Sequence, residues 1–190
     1  MVNNLFKHIL LYSIFHSIYK NSDIYKSKKK YYIHKNLTLD TCCLKKINIY
    51  SLSSFNMALA GFFFMKYHIK GNYYQSFFPK LLIIQSILSY LSDVLYVGEN
   101  NNYNHLDFTF ACYNTIITII LAKKYNLHFL EKIIFICGLF IKKIDSYYFN
   151  NNVIDKYYYT HTLWHTILPL LYIYVVYKDN IDKKGIIKNI

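Results

Sequence analysis

Two histidines, His161 and His165, stand four residues apart near the start of the last apolar stretch of the chain. On a helix this spacing stacks both imidazoles on one face, from which they can hold a single metal ion. Ser89 and Asp93 share the same spacing towards the end of an earlier apolar stretch, so they too fall on one helical face. Asp107, next but one after His105, opens a third stretch. Charged and strongly polar groups are costly inside apolar segments, so chemistry is sought among these few first.

The elements that would carry them are five apolar segments separated by short polar gaps: residues 47–65, 77–97, 106–122, 127–141 and 158–177. A helix needs about 20 residues to cross about 30 Å of hydrocarbon, and segments two, three and five approach that length. The fourth is interrupted by Glu131 and Lys132 and spans only if these charges and Lys142-Lys143 snorkel to opposite interfaces. Strict alternation of apolar and polar residues is absent and turn dipeptides are scarce, which disfavours strands. The predicted fold is all-α: a polytopic transmembrane helical bundle with five core spans plus a short N-terminal hydrophobic segment. If the fourth segment crosses, the end of segment two and the starts of three and five lie on one side. Asp93, Asp107, His161 and His165 then occupy one layer near one interface.

Composition agrees with this division. The chain has 190 residues, 54% hydrophobic, yet Lys+Arg number 22 against Asp+Glu 10, giving a net charge of +12. All the Lys+Arg residues are lysines, and they fill the gaps, the leader and the tail. Nucleic-acid binding is excluded as the reason for this charge, because arginine forks and the known binding motifs are missing. The expected partners are membrane lipids, with a lipid substrate and no nucleic acid. Lys, Asn, Ile, Tyr and Phe share AT-rich codons, so runs such as Asn100-Asn101-Asn102 read as genomic drift. Cys112 and Cys137, each alone in an apolar stretch, read as buried thiols.

Residues 1–20 read as a signal-peptide-like or signal-anchor segment, residues 21–46 as a basic leader or loop, 47–178 as the membrane domain and 179–190 as a basic tail. A signal-type start directs the protein to the endomembrane system (ER/Golgi). A signal run followed by a basic, acid-poor stretch also resembles the two-part leader of secondary plastids, which gives a plastid-type organelle membrane as the alternative.

The stretch Ser89-Tyr90-Leu91-Ser92-Asp93, then Leu106-Asp107, then His161-Thr162-Leu163-Trp164-His165 resembles the CREST superfamily of membrane hydrolases. That group includes alkaline ceramidases, progestin/adiponectin-type receptors and GPI-anchor-remodelling proteins. The resemblance implies a zinc amidohydrolase in which His161 and His165 are metal ligands and Ser89 and Asp107 position the water. The family has histidine where this chain has Asp93, four after the serine, so the implied third ligand here is a carboxylate. Two histidines and one carboxylate form a chemically sound zinc set. His105 is an alternative third ligand, and a Ser89–His161–Asp107 triad is conceivable without the usual nucleophile elbow. The family has seven spans against five here, but parity keeps the site together. The expected function is zinc-dependent hydrolysis of a lipid amide or ester. The alternative is a non-catalytic multispan membrane protein, a scaffold or small transporter, whose polar residues line a cavity. Ser92–Leu95 alone also resembles lysoplasmalogenase-like membrane hydrolases.

Overall fold

Asn48 caps a short helix. Its side chain accepts from the Ser51 backbone N–H while the Ser51 hydroxyl accepts from the Asn48 N–H, a reciprocal cap that fixes the start of α1, Ile49–Ser53. In the computed structural model α2 (Asn56–Tyr67) follows after a two-residue break, then α3 (Tyr73–Tyr90), which runs on into a π-helical turn, Leu91–Leu95. Three longer helices complete the chain: α4 (Asn102–Lys124), α5 (Phe129–Asn150) and α6 (Ile154–Lys183). The structure describes residues 42–67, 73–99, 101–124 and 127–183, together with residues 12–14, 17, 18, 20, 21 and 26. The leader readings for residues 1–20 and 21–46 fall largely outside these, as does the end of the basic tail.

The described residues are mostly helical, with no strand among them, so the all-α expectation holds. The five spans map onto this framework unevenly. The first apolar segment is divided between α1 and α2 rather than forming one helix. The fourth does not stop at residue 141, because α5 continues through Lys142 and Lys143 to Asn150. Among the described residues one helical stretch, Phe77–Leu95, is both long and apolar enough to cross a membrane.

Helix contacts are made where side chains are small. A Cβ added at Gly61 of α2 would lie 2.6 Å from the Pro79 carbonyl oxygen of α3, so only glycine allows that approach. Gly138 of α5 receives the Leu168 side chain of α6 in the same way. A tight turn at Asn151–Val153, with Asn152 in the left-handed region at φ 59°, folds α5 and α6 into an antiparallel pair. Residues equidistant from Val153 then face each other: Gly138 meets Leu168, and the Lys142 amine lies over the Trp164 ring.

Phe64, Phe78, Leu82, Phe110, Tyr113 and Leu168 belong to the apolar core, and Tyr12 packs edge-on against Phe110 and Tyr113. Polar side chains are unusually well represented inside. Ser86, Gln85, Asn114, Thr109, Thr118 and both histidines of the last helix are buried. Many large apolar side chains face outward instead, among them Ile87, Ile119, Leu130, Ile136, Phe140 and Leu170. Cys137 is exposed and Cys112 partly exposed, contrary to the expectation of buried thiols. The Asn101 side-chain amide oxygen accepts from the Tyr103 and Asn104 backbone N–H groups and starts α4.

Candidate metal centre

The π-helical turn delivers Asp93. Its wider i→i+5 hydrogen bond, from Tyr96 N to Leu91 O at 2.9 Å, accommodates one extra residue at the end of α3. The fully buried Tyr50 of α1 donates its hydroxyl to the Asp93 backbone carbonyl at 2.6 Å, pinning the turn from the other side. The short α1, cut off from α2, thus has a positional role that its length would not predict.

Helix α6 delivers the histidines on one face, as their spacing requires. His161 and His165 are both buried, and their rings lie 4.3 Å apart. His161 Nε2 stands 3.2 Å from Asp93 Oδ2, and His165 Nε2 stands 3.8 Å from the same oxygen. One ligand atom from each of the three residues lies within 4.8 Å of the others, so Asp93, His161 and His165 form a cluster that could hold a metal ion.

The donor set fits such an ion. Zinc bonds of 2.0–2.2 Å in a tetrahedron place ligand atoms roughly 3.3–3.6 Å apart, close to the 3.2 and 3.8 Å that separate the two histidine nitrogens from Asp93 Oδ2. The alignment of His161 Nε2 is also telling. It is buried and makes no hydrogen bond, although a carboxylate oxygen lies 3.2 Å away. A metal ion between the two atoms satisfies both, as does a proton on Nε2 shared with the carboxylate.

Ser89 stands beside the cluster, on α3. Its hydroxyl donates to Asp93 Oδ2 at 2.9 Å and lies 3.4 Å from His165 Nε2. Ser92 donates to the other Asp93 oxygen at 3.1 Å. Ser89 is therefore placed against His165, not His161, which removes the geometric basis for a Ser89–His161–Asp107 triad. Ser86 is a packing residue, donating to the Ser54 carbonyl at 2.8 Å.

Asp107 of α4 is outside the three-atom cluster but on the same cavity wall. It receives the Gln85 amide at 2.6 Å, and Gln85 in turn accepts from Asn114 at 3.2 Å. Because α4 begins at Asn102, Asp107 lies beyond the first helical turn and does not cap the helix. His105 is buried on α4 and is not one of the clustered ligands.

Two cavities meet at this point. One, of about 280 Å³, is lined by Ser92, Asn104, Asp107, Asp145 and Ser146 together with apolar groups such as Val97, Phe108 and Phe149. The other, of about 50 Å³, leads between Met57, Leu82, Leu139, Trp164 and Leu168. Asp93, Asp107, Ala111 and Lys142 line both.

One residue of the site is absent from the sequence reading. Asp145, fully buried on α5, brings both carboxylate oxygens to 3.2 Å from His161 Nδ1, and Lys142 Nζ lies 2.9 Å from its Oδ2. Residues 142–157 read as a gap because Lys142-Lys143 ends the apolar run. The signal that could have found Asp145 is hairpin register, since Asp145 and His161 are equidistant from Val153.

The chain matches no protein-family model, and no curated protein or solved structure is significantly similar to it.

Proposed function

We propose that this is an integral membrane protein whose Asp93–His161–His165 centre holds zinc and hydrolyses a lipid amide or ester. The observation that carries the reading is the convergence of one carboxylate and two imidazole nitrogens from separate helices beside a serine hydroxyl. Three protein ligands with one side left open is the arrangement of catalytic zinc, whereas structural zinc is closed by four. The CREST-like layout of Ser89, Asp107 and the H-x-x-x-H pair supports the same assignment, with Asp93 replacing the family's histidine.

When bound, zinc supplies an acidified water and a Lewis acid for the scissile carbonyl. Ser89 would orient that water by accepting from it, or would turn its one proton from Asp93 to the developing oxyanion. Asp107 takes the water's proton and returns it to the leaving group, with Gln85 fixing its carboxylate. The larger cavity receives a headgroup, and the apolar slot beyond it receives the start of a chain.

Membrane insertion is supported by the many large apolar side chains that face outward, such as Ile87, Ile119, Phe140 and Leu170, while serines and histidines share the interior with the apolar core. In this reading α1 and α2 together make the first crossing and α3 to α6 the other four, with the lysines at the interfaces, in the endomembrane system.

Zinc measured on detergent-purified protein tests the proposal. Near-stoichiometric zinc in the wild type, lost in His161→Ala and His165→Ala, is expected together with hydrolysis of N-acyl or O-acyl lipids. Equal zinc in wild type and variants rejects the metal centre. Zinc without hydrolysis of either lipid class leaves the scaffold or transporter as the better account.

A further inference from the structure

The contact between Asp145 and His161 crosses from α5 to α6, and Asp145 is one of the most completely buried charged groups described in the chain. A carboxylate accepts hydrogen bonds and does not donate them, so the atom facing it, His161 Nδ1, must carry a proton. In the neutral ring a proton held on Nδ1 leaves Nε2, the atom on the Asp93 side, as the nitrogen with a lone pair for an ion; without an ion the Asp93 carboxylate 3.2 Å away calls for a proton there as well. The ring cannot easily turn to exchange the two nitrogens. Tyr50 and Tyr157 lie on it with ring centres 5.1 and 5.0 Å away, and His165 follows at 4.3 Å.

We infer that Asp145 is a positioning residue for the metal centre, locking His161 in the tautomer that presents Nε2 to the ion. The inference rests on the zinc reading above and extends it to a residue outside the ligand set. Lys142, three residues earlier on the same helix, pairs with the carboxylate at 2.9 Å. The chain of groups runs Lys142, Asp145, His161, then the ion. A carboxylate behind a ligating imidazole orients it and raises its basicity, and loss of such a partner lowers metal affinity about 10–100-fold.

A purely structural role for Asp145 makes a different prediction. An ion pair between Lys142 and Asp145 is local to α5 and needs nothing from α6. What the ion pair leaves unexplained is that both carboxylate oxygens lie equally close to His161 Nδ1. The two histidines also differ: His165 Nδ1 is buried without a hydrogen-bond partner among the described residues, so only one ligand has this support.

Cobalt(II) serves as the probe, because its visible absorption reports ligand geometry as well as occupancy. The full-length protein in detergent is stripped of metal and titrated as wild type, as Lys142→Gln and as Lys142→Gln/Asp145→Asn. The double variant removes both charges together, so no unpaired buried charge is left to unfold it. Affinity in the double variant should fall about 10–100-fold below wild type with a changed spectrum, while Lys142→Gln alone falls by less than about tenfold. Wild-type affinity and an unchanged spectrum in the double variant would overturn the positioning role while leaving the centre itself intact. Failure of the wild type to take up cobalt would overturn the zinc reading and this inference with it. A second measurement needs no variant: imidazole nitrogen shifts of the zinc-loaded wild type should show His161 bound through Nε2 with a proton on Nδ1. Binding through Nδ1 overturns the inference.

Discussion

Helix α5 buries an acidic residue near each end, and the two are satisfied in opposite ways. Near its start, Glu131 divides its oxygens between the His128 backbone N–H and the Lys178 ammonium, each at 2.7 Å. Near its end, Asp145 takes Lys142 and then reaches across to His161, whose other nitrogen makes no hydrogen bond. The first cluster closes on itself and joins two helices. The second passes its polarity inward to a point where three ligand atoms face one another. Buried polar groups that complete each other are architecture; buried polar groups left facing an unfilled position indicate a ligand.

The contrast is broken most severely at the histidines. His161→Ala should remove metal binding altogether, because it deletes one of three ligands and leaves Asp93 and His165 too few to retain an ion. Chelator treatment of the wild type should reproduce the same loss of activity, and added zinc should restore it only where His161 is present. Metal content and lipid hydrolysis measured side by side check both statements.

Ser89→Ala should separate metal retention from rate. The serine touches Asp93 and His165 but is not one of the clustered ligands. Zinc content should stay near that of the wild type while hydrolysis falls by about 10²–10³, the usual effect of deleting one oxyanion donor. Loss of zinc in parallel with rate would make Ser89 a determinant of the ligand geometry instead.

Much of the site could be read from spacing. The four-residue intervals placed Ser89 with Asp93 and His161 with His165, and helical parity brought the two pairs to one end of the bundle. Asp145 was hidden because two lysines ended the apolar run, and hydropathy cannot show that Lys142 turns towards a buried carboxylate. Hairpin geometry decides that, and the register depends on where the chain turns, at Asn152. The break between α1 and α2 was hidden for a related reason. Ser51, Ser53 and Ser54 are buried and hydrogen-bonded locally or packed, so averaged hydropathy passes over them as part of one long span. The π-helical turn left no signal beyond Asp93 itself, since an extra residue in a helix alters hydrogen bonding without altering composition.

Glu131 gives the smallest effect and the cleanest control. Glu131→Gln keeps an oxygen for the His128 N–H but weakens the contact to Lys178 from an ion pair to a neutral hydrogen bond. Lys178 is only partly exposed, so the loss is that of one charge-assisted bond, about 1–2 kcal/mol, and not the full cost of a stranded charge. The melting midpoint should drop by a few degrees, as about 1 kcal/mol does in a chain of this size. Zinc content and the rate per bound zinc should not move, because Glu131 and the metal centre lie near opposite ends of α5. A fall in zinc content matching that of the Asp145 variants would mean that α5 transmits strain along its whole length. The two ends would then be one coupled unit, and the distinction between a closed cluster and a ligand-directed one would lose its functional meaning.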